Sequence, residues 1–434
     1  MGQPLDGGPP RGADDAPMAT PQTDPARPSR VGRRRRAIVG LLAWLPTATA
    51  VLAAGCAPAG PAAPGGPERL YALNALDGTL TPLDGERVAV AGPALPAGDA
   101  PAQAAPGPGG SLLVLSFARD RPAGLTHVVR AGGVWRAQPA PVGAALHEAA
   151  LAADGGRYAA VAHHTPARRP AAPAGAGRPE PPSGAPEGRC RLTVLDVAAG
   201  ETRTHVVCAP GEEVTGVALR GGPDGPVAYL GVWDTRSPEA GTGAARAPTP
   251  SGSVARRALR DRVTAVDAAT GRVLAVRALA SPPERLQFVP AGPGTGWPEG
   301  RLYVLEGAPG PENDYSPLGR WRLLGLHPTT LETEQEAFLG VQVSALAVAP
   351  DGAHAYAVAA GGTDVLHVDL ATGVTRRLGA LPGYPAGTMA VTARHVLVPN
   401  PLGGEVWALD RRDGRLAATI PVGRRPVAVV VARA

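Results

Sequence analysis

Along most of the chain, alternating apolar positions run into an Asp, a turn containing Gly follows, and a second alternating run begins. Copies occur at Asp196-Val-Ala-Ala-Gly200, Asp267-Ala-Ala-Thr-Gly271, Asp369-Leu-Ala-Thr-Gly373 and Asp410-Arg-Arg-Asp-Gly414, the last two 41 residues apart. A second hairpin precedes each, as in Leu346-Ala-Val-Ala-Pro350-Asp351-Gly352 followed by His354-Ala-Tyr356-Ala-Val358. Asp bonds its own backbone in a turn and Gly accepts positive φ at no steric cost, so these residues are hairpin signals rather than catalytic ones. Each unit therefore supplies four strands, a to d, at a period near 40, which is the signature of a β-propeller blade.

Counting back from the C-terminus, strand a is expected near 388–392, 344–349, 284–289, 214–219 and 147–152, and a weaker one ahead of 111–117. The seventh blade is split. Residues 69–74, 79–83 and 87–90 read as its strands b, c and d, while 426–431 reads as a lone strand a. Pairing that strand with the N-terminal blade closes the ring and leaves no exposed sheet edge. The expected fold is all-β, a seven-bladed β-propeller spanning 69–434.

The run Val406-Trp-Ala-Leu-Asp410, then Gly414, then Ile420-Pro421-Val422-Gly423 and Pro426, resembles the bacterial YVTN-type propeller repeats, and Val348-Ala-Pro350-Asp351-Gly352 matches their a–b turn. The resemblance implies the fold. Relatives of this type serve as binding surfaces, surface-layer modules and, in lactonase-like forms, enzymes.

Departures from the period mark a candidate site. Spacing grows to 71 residues between Asp196 and Asp267, and Pro/Gly/Ala-rich insertions fall at 164–189, 234–260 and 307–319, all between strands b and c. Connections b–c and d–a leave every blade at one end, so the insertions should share one face. The candidate binding face comprises His163, His164, Trp233, Asp234, Glu306 and Asn400 with Glu312, Asp314 and Tyr315 of the third insertion. Oxygen ligands in 311–316 suit Ca²⁺, but one loop supplies too few and no Asp-x-Asp-x-Asp-Gly loop is present, so no cofactor is expected. His163 and His164 are adjacent on a strand and point opposite ways, so they cannot share an ion. His147-Glu148 opens like a zinc-protease motif, but Leu151 stands where its second His would be. No Gly-x-Ser-x-Gly elbow, phosphate loop or Cys-x-x-Cys appears.

The first residues place the protein in the cell. Residues 1–36 lack apolar periodicity, a composition that favours disorder; Met18 offers an alternative start. Arg33–Arg36 abut the uncharged 37–54, which leads through small residues to Cys56, the order of a secretory signal. Leu52-Ala53-Ala54-Gly55-Cys56 resembles the bacterial lipoprotein signal, with Ala53 where Leu is usual, and Arg35-Arg36 loosely resembles a twin-arginine signal. The resemblance implies lipidation at Cys56, a tether over 57–68 and a location at the outer face of the cytoplasmic membrane; an uncleaved anchor is the alternative.

Three cysteines would leave one unpaired. With Cys56 lipidated, Cys190 and Cys208 remain, and folding the hairpin about Ala199 sets them nearly opposite, so a cross-strand disulfide is expected. Two buried thiols are the alternative. The formal net charge is +5, but residues 1–36 hold seven Arg against four Asp, so the rest is nearly neutral. With aromatics at only 4%, the basic stripe and stacking platforms of a nucleic-acid binder are missing. These readings point to a monomeric, noncatalytic binding or scaffold protein for a protein, glycan or small ligand. A lactonase-like or metal-assisted hydrolase is the rival.

Overall fold

A computed structural model describes residues 68–117, 124–131, 134–140, 142, 147–164, 189–209, 211–234, 261–292, 297–307, 321–385 and 387–433. Cys56, Glu312, Asp314 and Tyr315, with the signal segment and nearly all of the three insertions, lie outside the described residues.

Seven antiparallel sheets form a ring. Blade 1 joins Pro426–Arg433 as strand a to Glu68–Asn74, Thr79–Asp84 and the short Ala89–Val90. Blade 2 is Pro101–Pro106, Leu112–Ser116, Gly124–Ala131 and Val134–Pro139, and blade 3 is His147–Ala153, Tyr158–His164, Cys190–Asp196 and Glu201–Val206. Blade 4 is Glu212–Arg220, Val227–Asp234, Arg262–Asp267 and Val273–Ala278; blade 5 is Pro283–Val289, Arg301–Glu306, Arg322–Leu326 and Thr333–Phe338. Blade 6 is Val343–Val348, His354–Ala359, Asp364–Asp369 and Thr375–Ala380; blade 7 is Ala390–Val391, His395–Asn400, Glu405–Asp410 and Leu416–Pro421. Strand a of each blade touches strand a of the next all the way round.

The closure is as the sequence led us to expect, with Leu70 opposite Val431 and Ala72 opposite Val429. One detail differs. The outer strand of blade 1 does not run over 87–90 but is split, Ala89–Val90 pairing with Leu83 and Asp84 while Leu95–Pro96 pairs with Thr79 and Leu80. Val88 at φ 49° and the break to Leu95 account for the division.

The core is not central but lies between blades. Each of seven apolar clusters draws on two neighbouring sheets: Tyr356 and Val365 of blade 6 meet Val396 and Trp407 of blade 7, and Leu70 and Leu83 of blade 1 meet Leu397 and Val406 of blade 7. Strands b and c are thus covered on both faces, which makes Arg301–Glu306 buried at every position. Outer strands such as Thr333–Phe338 (TEQEAF) alternate, and their charges guard the exposed edge.

The Asp…Gly turns behave as their chemistry requires. Asp369 Oδ1 accepts the amides of Ala371 (3.0 Å) and Thr372 (2.9 Å), and Gly373 sits at φ 70°. At the inner edge, side chains of one blade cap the unpaired backbone of the next: Gln103 Oε1 accepts the Leu151 amide at 2.8 Å, and Gln287 bonds both the amide (3.0 Å) and carbonyl (3.3 Å) of Val348.

The two cysteines are joined, with Cα atoms 5.3 Å apart and a sequence separation of 18. The Val207 amide bonds the Cys190 carbonyl, so Cys208 stands just beyond the last paired residue and the disulfide fixes the connection from blade 3 to blade 4. Among the described residues no helix is long and apolar enough to cross a membrane.

Candidate functional site

In each blade, strand b ends where strand c and strand a begin, and in blades 1, 4, 5 and 7 polar residues placed there are held in clasps. In blade 5, Glu306 Oε1 accepts the Ser281 amide at 2.8 Å and Oε2 accepts Arg322 Nε at 2.8 Å. Blade 7 has Asn400 Nδ2 and Trp407 Nε1 both donating to Glu405 Oε1, at 3.0 and 2.8 Å. In blade 1, Asn74 Nδ2 donates to Thr81 Oγ1 at 2.9 Å, which in turn donates to the Val422 carbonyl at 3.1 Å.

Blade 4 carries the strongest clasp. Glu212, opposite Asp234 in register, receives Arg262 in two parallel bonds of 2.8 and 2.9 Å and the Ala209 amide at 2.8 Å. Burial pushes the Glu212 carboxyl up, but Arg262 and the Ala209 amide outweigh it and hold the group below the usual carboxylate range.

Of the residues singled out from sequence, Glu306, Asp234 and Asn400 stand at the b–c end and are buried, at 0, 5 and 8% exposure. His164 turns towards blade 4, its Nε2 accepting the Val214 amide at 3.2 Å. His163 is buried within blade 3 and meets Thr193 Oγ1 at 3.1 Å, so the two histidines diverge. Trp233 is half-buried beside Asp234. The spacing placed these groups at the b–c end, as they stand, but could not show that the fold itself uses them.

A further set went unnoticed. In six blades strand a carries one extra residue near its start: Val427, Ala102, Glu148, Thr215, Glu284 and Ser344 in blades 1 to 6. Such β-bulges bend a strand and re-aim a side chain. Because strand a is innermost, the bulges line one mouth of the central channel beside the inserted connections, with Val427 and Ala102 in blades 1 and 2 and the polar Thr215, Glu284 and Ser344 in blades 4 to 6. Pro directly precedes the extra residue in blades 1, 2 and 5, a signal legible in sequence because Pro is tolerated at the first position of a strand.

Thr215 Oγ1 donates to the Pro283 carbonyl across the blade boundary, and Arg285 Nη2 to the Ser344 carbonyl at 2.8 Å. Glu284 is open to solvent yet crowded by protein. Crowding raises its carboxyl above the usual range, and the adjacent Arg285 only partly opposes this. Among the described residues no hydrogen bond reaches Glu284, and no group of three His, Cys, Asp or Glu side chains is placed to hold a metal ion. Among the described side chains the mouth therefore offers the Glu284 carboxyl, without a hydrogen-bond partner, beside hydroxyls and backbone edges, groups suited to recognition.

No protein-family model matches the chain, and no curated protein matches it. Among solved structures it is similar to the periplasmic gluconolactonase PpgL of Pseudomonas aeruginosa, with a TM-score of 0.52 and 17% identity over 84% of this chain and 99% of that one. Hydrazine synthase of Kuenenia stuttgartiensis gives a TM-score of 0.52 and 15% identity over 81% and 94%. A functionally unknown protein from Desulfotomaculum acetoxidans gives 0.51 and 11% over 84% and 99%. At these identities the likeness is one of fold.

Proposed function

We propose that the chain is an exported, lipid-anchored β-propeller that acts as a noncatalytic binding or scaffold module at the cell surface, with its ligand face at the b–c end. One observation carries this reading: the buried carboxylates described at that face, Glu212 and Glu306, are spent on Arg262 and on Arg322 and Ser281, and among the described residues Glu284, the carboxyl left open at the mouth, has no second acid–base group bonded to it. A hydrolase needs acid–base groups free to meet a substrate. The buried Cys190–Cys208 disulfide supports an oxidising, extracytoplasmic setting, and the signal-like segment ending at Cys56 supports the anchor.

Crosslinking in whole cells followed by partner identification tests the binding role, with a partner expected at the b–c face. A Cys56→Ser protein is expected in the aqueous phase after detergent partition; retention with detergent would favour an uncleaved helix. The lactonase-like reading takes over if the purified mature protein contains stoichiometric Ca²⁺ or Zn²⁺ that is lost on Glu312→Gln or Asp314→Asn substitution.

A further inference from the structure

Two imidazoles lie against each other in blade 6, at the end of the ring opposite the insertions. His367 of strand c pairs in register with Tyr356 of strand b and Arg376 of strand d, and His354 is two residues before Tyr356. Arg376 Nε lies 3.2 Å from His367 Nδ1, and His367 Nε2 lies 3.2 Å from His354 Nδ1. The ring centroids of the two histidines are 5.0 Å apart, with Tyr356 5.3 Å from His367.

The direction of every hydrogen bond follows from one fact: a guanidinium donates and never accepts. His367 Nδ1 must be bare, so the single hydrogen of the neutral ring is on Nε2 and is donated to His354 Nδ1. That leaves the hydrogen of His354 on its own Nε2. Both rings are thereby fixed as neutral Nε2–H tautomers, and both bare nitrogens are already occupied. A further proton can enter only by expelling Arg376 from His367 or by breaking the bond between the histidines.

This pair lies beside the bolt between blades 6 and 7. Arg411, from the c–d turn of blade 7, donates to Tyr356 Oη at 3.0 Å, to Asp351 Oδ2 at 2.7 Å and to the Thr392 carbonyl at 2.9 Å. The charged groups facing the histidines are Asp351 before strand b, Asp369 at the end of strand c, Arg376 on strand d and Arg411 from blade 7. We infer that the His354–His367 pair is a pH-responsive latch: it keeps the seam between blades 6 and 7 closed while neutral, and a proton taken up in acid opens it by breaking the relay and setting a cation against Arg411 for Asp351.

Burial, then the repulsion a protonated His354 would exert and the charges of Arg376 and Arg411, hold His367 below its ordinary value, with Asp369 opposing. The native state therefore binds fewer protons than the unfolded chain, whose histidines titrate near 6.5. The stability this contributes is complete above that value and is lost as pH falls through the depressed value of His367. The inference does not depend on any ligand at the opposite face.

The test uses the full chain. Histidine-selective ¹⁵N NMR at pH 8 should show His354 and His367 as Nε2–H tautomers. Hydrogen exchange followed by mass spectrometry, corrected for intrinsic rates, should show peptides over 354–359 and 395–400 opening about tenfold more readily at pH 5 than at pH 8, with peptides over 112–116 unchanged. In Arg376→Gln, His367 loses a positive neighbour and the transition should move to higher pH. In His367→Gln it should disappear. An Nδ1–H tautomer at His367, or a wild-type profile retained in Arg376→Gln, would overturn the latch even if His367→Gln failed to fold.

Discussion

Blades 3 to 5 and blades 6, 7 and 1 are built on the same four-stranded plan, yet they solve the same problem differently. In blades 6, 7 and 1 the b–c turns are tight, and neighbours are held by apolar clusters, by the terminal strand and, at the end away from the insertions, by Arg411 of blade 7 on Asp351 of blade 6. Blades 3 to 5 interrupt the period with three insertions, and at the roots of those insertions stand the disulfide and the buried pairs Glu212–Arg262 and Glu306–Arg322. Long connections cost little closure entropy in themselves, but they leave strand ends unsupported. Covalent and ionic clasps take the place of the short turn.

Removing Pro426–Arg433 should have the largest effect, because it opens blade 1 and strips two interblade cores at once. We expect loss of a cooperative unfolding transition in a denaturant titration followed by circular dichroism, since the deficit exceeds the net stability of about 5–15 kcal/mol typical of a domain. Retained cooperativity would show that the irregular side alone holds the ring.

Next come two arginines in comparable ion pairs. Arg262→Leu leaves Glu212 buried without its partner and should cost about 3–5 kcal/mol, whereas Arg377→Leu breaks the exposed pair with Asp364 in blade 6 and should cost no more than about 1 kcal/mol. Equal shifts in the denaturation midpoint would contradict the assignment of buried ionic support to the roots of the insertions.

Reducing Cys190–Cys208, or replacing both residues by Ser, should cost roughly 3 kcal/mol on the chain-entropy model. Hydrogen exchange should locate the loss at 190–209 and the start of blade 4, not in blade 7. The turn glycines make a finer comparison. Gly200 and Gly414 share φ near 70°, but a Cβ at Gly414 would stand 2.1 Å from the Leu378 carbonyl, while Gly200 faces open space. Thermal denaturation should show Gly200→Ala costing about 1 kcal/mol and Gly414→Ala about 3 kcal/mol, the range of left-handed backbone strain with the clash added to the second. Last is the exchange of 166–187 for a short Gly-Ser turn, expected to raise stability by no more than about 1–2 kcal/mol, since each halving of loop length returns about 0.6 kcal/mol, while reducing partner capture in whole cells. A large loss of stability would make that insertion structural.

Much of the fold was legible because the hairpin signals are local. Asp369 and Gly373 announce a turn wherever they sit in space, and the lone strand at 426–431 announced itself by having no partner nearby in sequence. The candidate site was legible only as an end of the ring. That Glu306 is buried in a clasp depends on Ser281 arriving from the connection between blades 4 and 5, and that Asn400 is depends on Glu405 facing it across the paired b–c turn, while the bulge at Glu284 depends on a register that strands a and b settle only when paired. The two histidines of blade 6 drew no attention because 13 residues separate them.

By itself the sequence determined the repeat, the blade count, the order of strands and the partners for the free end and the two cysteines, because each rests on a turn, a period or a short hairpin span. Only the tertiary structure decided which polar groups are spent and which remain available. That division is set by the pairing of strands and by the connections that run past their ends, where a carboxylate from one strand meets a guanidinium or amide from another, and the repeat pattern does not encode it.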